Sequence, residues 1–174
     1  MTVVLRLALP ADAAAIAGVH LQAWEHTYRG MLPDALLDTQ TLAGRTRDWQ
    51  HWLAQADSSW VLLAETADML AGFISGGPER GAETNCQGEI YALYLCPEAQ
   101  GQGLGRTLLS AGLHRLRAQG LHNILIWVAA ANQRARGFYQ HLGGVLCYDR
   151  QLSIRGLTVA EVGYVWVQSD SQQA

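Results

Sequence analysis

Glycines at three alternating positions constrain the fold of this chain more than any other feature. Gly101, Gly103 and Gly105 stand between the apolar run 90–96 and a stripe of leucines that repeats at helical spacing from 104 to 116. Because glycine lacks a Cβ atom, the backbone here can take positive φ angles and a ligand can approach it closely. The pattern predicts a strand, a tight loop and a helix whose first N–H groups bind a phosphate or pyrophosphate. A glycine-rich turn without a ligand is the alternative interpretation.

Strand-like and helix-like runs alternate along the rest of the chain. Alternating and apolar runs predict strands at 3–9, 60–65, 70–75, 89–95, 124–128, 145–154 and 158–167. Apolar residues at helical spacing predict helices at 13–28, 34–55, 104–120 and 135–142, the first of them N-capped by Asp12. This order is typical of an α/β domain with a mixed sheet. We therefore expect one domain over residues 1–167 and a polar C-terminal tail at 168–174.

Composition excludes several classes of function. All twelve basic residues are arginines, set against 15 acidic residues for a formal net charge of −3, so a lysine Schiff base and a P-loop lysine are both excluded. Chains that bind nucleic acid usually carry a basic excess.

The longest apolar runs fall far short of the roughly 18 residues of a membrane span, and the N-terminus does not resemble a signal peptide. Three cysteines without CxxC spacing indicate free thiols, and the six histidines show no metal-ligand spacing. We expect a cytoplasmic protein with no nucleic-acid, membrane or metal partner.

Two segments resemble the signatures of the GNAT superfamily, the acetyl-CoA-dependent N-acetyltransferases. The run 89–105, EIYALYLCPEAQGQGLG, is similar to the family's central motif, and Gln100, Gly103 and Gly105 match its hallmark [R/Q]-x-x-G-x-[G/A]. The run 132–139, NQRARGFY, resembles the next signature, N-x-x-A-x-x-F-Y, and the stretch 24–33 resembles the start of many bacterial members. The resemblance implies a mixed, mostly antiparallel and twisted sheet of about seven strands. It also implies about four flanking helices and a splay between the fourth and fifth strands.

The resemblance also implies an activity and a co-substrate. The expected reaction is direct transfer of the acetyl group of acetyl-CoA to a primary amine of a small molecule or peptide. A non-catalytic acyl-CoA-binding or regulatory module on the same fold is the alternative, since a fold does not by itself establish chemistry. Pantetheine is expected in the splayed gap, against the backbone of 93–95, with one amide facing the developing oxyanion. The residues expected to bind acetyl-CoA are Leu93, Tyr94, Leu95, Gln100, Gly101, Gln102, Gly103, Leu104, Gly105, Arg106 and Asn132.

Two residues are candidates for proton transfer. Tyr139 lies seven residues after Asn132, two helical turns away on nearly the same face, and its phenol is expected to protonate the departing thiolate. Phe138 is interpreted as a core residue, which is also the alternative for Tyr139. Glu89 begins the motif strand and is the candidate base that takes the proton of the attacking amine. A solvated strand-end carboxylate is the alternative for Glu89, and a water chain can replace it as base.

Aromatic residues suggest an acceptor site and a dimer interface. Trp24 and Tyr28 are expected to contact the acceptor from the first helix, with Tyr148 and Tyr164 on the opposite side. Aromatic rings at such a site can enclose an apolar or cationic amine, and packing is the alternative interpretation for each of them. The apolar run 162–167 suggests a homodimer that pairs through the last strands.

Overall fold

The computed structural model describes residues 2–55, 57–81, 84–154 and 156–167. The predicted tail at 168–174 lies outside the described residues. The strands are β1 (Val4–Leu7), β2 (Trp60–Glu65), β3 (Leu70–Pro78), β4 (Gly88–Leu95), β5 (Ile124–Ala129), β6 (Val145–Ile154) and β7 (Leu157–Trp166). The helices are α1 (Ala13–Tyr28), α2 (Asp34–Leu37), α3 (Leu42–Gln55), α4 (Leu104–Ala118) and α5 (Gln133–His141). None of these described helices has the length and apolar character needed to cross a membrane.

The seven strands form one sheet in the order β1-β2-β3-β4-β5-β7-β6. Neighbouring strands are antiparallel except β4 and β5, which are parallel. Within the described residues, four helices longer than one turn accompany this sheet, and α2 adds a single turn. The predicted fold class, a mixed and mostly antiparallel sheet with about four helices, is therefore confirmed.

Adjacent residues of β3 show how the helices cover both faces of the sheet. Ile74 faces α4, where a Cβ atom added to Gly112 would lie only 2.7 Å from the Ile74 side chain, so glycine permits this close packing. Phe73 faces the other way, with its ring centroid 5.2 Å from that of Trp49 in α3. We call these two surfaces the α4 face and the α1 face, because α1 packs on the same side as α3.

Near the N-terminus one local prediction fails and another is confirmed only for the position of a residue. The predicted helix 34–55 is interrupted, because the Thr41 hydroxyl accepts the Gly44 N–H at 3.1 Å and so begins α3 as a separate helix. Asp12 does stand at the N-cap position of α1, but its carboxylate does not cap that helix. It accepts instead from the Arg6 guanidinium at 2.7 and 2.8 Å and from the Leu9 N–H at 2.7 Å.

The order of the last strands corrects the expected dimer edge. β7 lies between β5 and β6, so both of its backbone edges are paired and the run 162–167 is interior to the sheet. At this end of the sheet the edge strand is β6, where Val145 and Leu146 are both exposed, and β1 is the edge strand at the other end. An interface formed by strand pairing would have to use an edge strand, β6 or β1, rather than β7.

The parallel strands β4 and β5 diverge after a short paired stretch. They pair only at residues 88–90 with 124–126, and no described strand pairs with the β5-facing edge of Tyr91–Leu95. In the β3–β4 pairing, Ser75 faces Ala92 while Gly76 faces Ile90, which leaves Tyr91 as the extra residue of a β-bulge. The predicted splay between the fourth and fifth strands is confirmed.

Candidate active site

A cleft of about 430 Å³ occupies the gap between β4 and β5. Residues 91–95 of β4 and 126–128 of β5 form its walls. The loop before α4 closes one end, and the end of α1 and the start of α5 contribute the remaining sides. The cleft thus joins the two sequence signatures, which lie about 30 residues apart along the chain.

The glycine loop presents bare backbone to this cleft. Gly101 and Gly103 have φ angles of +75° and +83°, and a Cβ atom added to either would meet no atom within 4 Å. Gly103 is the N-cap of α4 and has no side chain to accept the first N–H groups of that helix. Those amides and the positive end of the helix dipole suit an anion, and the exposed Arg106 adds a cation nearby. The residues present therefore fit a pyrophosphate group.

Two glutamine side chains hold the loop in place. The Gln100 side-chain amide donates to the Leu95 carbonyl at 3.3 Å, and that of Gln102 donates to the Glu98 carbonyl at 2.8 Å. Gln102 and Leu104 do not line the cleft, and the Leu104 side chain is buried in the core. The predicted cofactor residues that do line it are Leu93, Tyr94, Leu95, Gln100, Gly101, Gly103, Gly105, Arg106 and Asn132.

Three tyrosines and an asparagine meet where α1, β4 and α5 approach the cleft. The Asn132 side-chain oxygen accepts the Ala135 N–H at 3.0 Å and so caps α5. Burial raises the pKa of Tyr28, while hydrogen bonding to Tyr94 and Asn132 acts in the opposite direction. Burial raises the pKa of Tyr94 well above its ordinary value, and the neighbouring Tyr28 adds to that effect. At neutral pH the cluster therefore holds neutral phenols.

Tyr139 is buried, yet its residue lines the cleft. Its ring lies 5.3 Å from Phe138, 6.1 Å from Tyr164 and 6.0 Å from Trp166, measured between centroids. Burial raises the pKa of its phenol, with a smaller contribution from Tyr28. The phenol is therefore protonated at neutral pH, and its role as the proton donor stays a prediction. Phe138, interpreted as core, also lines the cleft and packs against Gly105.

Glu89 is placed differently from the expectation for a base. It lies in the paired part of β4, opposite Leu125, and is not among the residues that line the cleft. Its buried carboxylate accepts from the Arg80 guanidinium at 2.6 and 3.2 Å and from the Arg80 backbone N–H at 3.1 Å. These bonds engage both carboxylate oxygens, and the role of Glu89 as base stays a prediction.

The predicted acceptor residues take different positions. Tyr28 lines the cleft, whereas Trp24 lies behind it with its ring centroid 4.5 Å from that of Tyr28. Tyr148 lies on the α1 face, 6.3 Å from the cleft residue Trp127. Tyr164 is fully buried near Tyr139, and its hydroxyl accepts from Arg136 at 3.3 Å. The structure thus assigns Tyr164 to packing.

Sequence reasoning missed Tyr91 and Trp127, which line the cleft on its two strands. An arginine lies over each ring: Arg80 at 4.0 Å from the Tyr91 centroid and Arg150 at 4.1 Å from the Trp127 centroid. Only the strand register shows these contacts, because Arg150 is distant from Trp127 in sequence. In the described part of the chain, no group of three or more His, Cys, Asp or Glu residues is arranged to hold a metal.

Comparison with known proteins gives one consistent family. The model of the acetyltransferase (GNAT) family matches residues 21–144. The uncharacterized N-acetyltransferase YuaI of Bacillus subtilis (strain 168) is 30% identical over 164 residues, which cover 94% of this chain and 92% of YuaI. A mycothiol acetyltransferase of Paenarthrobacter aurescens (strain TC1) is 35% identical over 144 residues, which cover 76% of this chain and 41% of that enzyme. The structure of PaiA N-acetyltransferase from Thermoplasma acidophilum in complex with coenzyme A superposes with a TM-score of 0.72 at 19% identity, covering 95% of this chain and 100% of that one.

Proposed function

Because this chain belongs to the GNAT acetyltransferase family, we propose that it transfers the acetyl group of acetyl-CoA to a primary amine of a small molecule or peptide. The observation that carries the proposal is the open gap between β4 and β5. An anion site lies at one end of this gap and a buried phenol lies in its wall. The coenzyme A bound to the PaiA structure and the name of the mycothiol acetyltransferase agree with this co-substrate and with a small-molecule acceptor.

The chain's own residues divide the binding of acetyl-CoA between two regions. The amides of 101–106 hold the pyrophosphate, and the unpaired backbone edge of 91–95 pairs with pantetheine as a further strand would. Bound there, acetyl-CoA supplies an activated thioester. A backbone N–H at this edge then donates to the carbonyl oxygen as negative charge develops on it.

Proton transfer is assigned to side chains at the cleft and to water. The Tyr139 hydroxyl donates its proton to the sulfur as the C–S bond breaks, because burial keeps this phenol protonated. The amine loses its proton either to Glu89, whose carboxylate binds Arg80, or to water. The thiols of Cys86, Cys96 and Cys147 are all free, which supports a cytoplasmic location.

Two measurements on the intact protein test the proposal. Calorimetry is expected to detect binding of acetyl-CoA and of CoA, with much weaker binding of NAD and ATP. A library of primary amines is then incubated with acetyl-CoA, and the released thiol is measured over the rate without protein. Thiol release that depends on both the protein and an amine supports the transferase. Tight CoA binding without turnover of any amine would favour the non-catalytic module, and absence of CoA binding would refute both.

A further inference from the structure

The α1 face of the sheet continues from β4 onto β5, β7 and β6, and there it carries aromatic and charged side chains. Glu89 pairs directly with Leu125, so Trp127, two residues further along β5, lies on the same face. Trp127 pairs with Gly163, and Glu161, two residues before it in β7, pairs with Arg150 in β6. Direct cross-strand partners share a face, so this row leads from the mouth of the cleft to the edge of the sheet.

Two matched units of aromatic ring, arginine and glutamate flank the gap on this face. On the β4 side, Arg80 lies over Tyr91 at 4.0 Å and binds Glu89 at 2.6 Å. On the β5 side, Arg150 lies over Trp127 at 4.1 Å and binds Glu161 at 2.6 Å. In each unit the aromatic ring packs against the plane of the guanidinium, and the carboxylate binds one of its edges. These two contacts fix the orientation of the arginine head group.

The two partners of each ion pair differ in the exposure of their side chains. The side chains of Glu89 and Glu161 are only 4% and 16% exposed, whereas those of Arg80 and Arg150 are 59% and 30% exposed. Both arginines use Nε and Nη2 for their glutamate, and within the described residues neither Nη1 donates a hydrogen bond. Tyr91 and Trp127 line the cleft and the two arginines lie over these rings, beside the cleft rather than in it. A molecule that reaches the rings from this face thus meets guanidinium N–H donors, even though the whole chain has a net charge of −3.

We infer that the acceptor amine also carries an oxyanion, a carboxylate or a phosphate, that Arg150 and Arg80 bind while the amine enters the gap. Guanidinium groups with free donors in a fixed orientation recognise such oxyanions, and the rings beneath them keep that orientation without a ligand. The amine would then lie between Tyr91 and Trp127, where both strands open. This inference rests on the proposed function and assigns the class of its acceptor.

Matched pairs of amines test the class of acceptor directly. The peptide Gly-Phe is compared with Gly-Phe amide, L-phenylalanine with phenethylamine, and O-phosphoethanolamine with ethanolamine. In acetyl transfer, the oxyanion-bearing member of a pair is expected to have a KM about tenfold lower or more, the scale of a partly exposed charge-assisted hydrogen bond. The first two pairs identify a carboxylate and the third identifies a phosphate. Equal KM values within all three pairs would overturn the inference.

Variants of the β5-side unit separate recognition from packing. Arg150→Gln is expected to raise the KM of the oxyanion-bearing member about tenfold and to leave its partner unchanged. Glu161→Gln removes the negative partner of the ion pair but keeps the cation. The KM of the oxyanion-bearing member is therefore expected to stay the same or to fall. If Arg150 only supports the sheet, both variants change stability alike and neither changes the preference. Arg117→Gln, in the exposed last turn of α4, is the matched control and is expected to behave as the wild type.

A binding measurement keeps this inference distinct from the proposed function. The same pairs are titrated into the protein saturated with CoA, and calorimetry records affinity without turnover. If the protein binds the oxyanion-bearing amine more tightly, and Arg150→Gln abolishes that preference, the inference is supported even if no amine is acetylated. Absence of acetylation would then count against the transferase alone. Turnover of amines without any such preference would support the transferase and overturn the inference.

Discussion

Replacing Tyr139 by phenylalanine separates chemistry from binding and from folding. The substitution removes one hydroxyl and keeps a ring whose centroid lies 5.3 to 6.1 Å from those of three aromatic neighbours. Within the described structure that hydroxyl makes no hydrogen bond, so its removal leaves no partner unsatisfied. The free energy of unfolding is therefore expected to change by less than about 1 kcal/mol.

The effect on the reaction is expected to be much larger. A contact that strengthens as charge builds on sulfur acts in the transition state, so its loss lowers kcat rather than raising KM. General acid catalysis contributes on the order of 10²-fold or more, which corresponds to about 2.7 kcal/mol of barrier. Burial raises the pKa of the phenol, so the wild-type enzyme keeps this acid at every pH below the ordinary tyrosine value of about 10.

The assay measures thiol release for the best acceptor of the amine library, with CoA affinity determined separately by calorimetry. Tyr164→Phe is the matched control: it removes a hydroxyl from a buried neighbour, here one that accepts from Arg136, and it alters no residue that lines the cleft. This control is expected to lose about 1 kcal/mol of stability and to keep its kcat. An unchanged kcat in Tyr139→Phe would refute the acid role, and a large loss of CoA affinity would make Tyr139 a binding residue.

Four further outcomes are expected. Gly103→Val should lower CoA affinity tenfold or more in calorimetry, because its side chain would occupy the open space beside a backbone at φ +83°; equal affinity would contradict the loop assignment. Burial lowers the pKa of His20 to about 3, so stability should fall as the pH drops from about 6.5 towards 3, where the unfolded chain binds the extra proton. Urea unfolding of His20→Gln should show a flatter dependence, and parallel curves would contradict this account. If Glu89 is the base, the activity lost in Glu89→Gln should partly return at high pH, and an identical profile would leave water as the base. The exposed apolar edge of β6 leads us to expect a homodimer, and light scattering at 19.0 kDa across micromolar concentrations would exclude it.

Sequence patterns predict an element well where a single local feature, such as an apolar run or a glycine spacing, determines its structure. The strand 124–128 is apolar on both faces and lies near the centre of the sheet, and the glycine loop begins a helix where its spacing predicts. Apolar residues continue through 34–55 and so predict a single helix there. The Thr41 hydroxyl accepts the Gly44 N–H and so begins a new helix at this point. A threonine before an apolar helical stretch is itself a sequence signal for a helix start.

The site is harder to predict because its parts meet only through strand register. The resemblance gave the glycine loop, Asn132 and Tyr139, all of which line the cleft. It did not give the ion pair between Arg80 and Glu89, since a strand pattern does not say which loop residue folds back onto it. The pairing of Arg150 with Glu161 likewise depends on a β6–β7 register that includes an irregularity near Tyr148.

The insertion of β7 between β5 and β6 affects how the protein folds during synthesis. Until residues 157–166 leave the ribosome, the edge of β5 that pairs with β7 in the finished sheet has no partner. At that stage β6 has no neighbouring strand either, because β7 is the strand it pairs with. Unpaired strand edges of this kind invite association with other chains. A chain truncated before β7 should therefore contain most of the residues that line the cleft and still fail to assemble it. Assembly of the candidate site therefore has to wait until β7 has been translated.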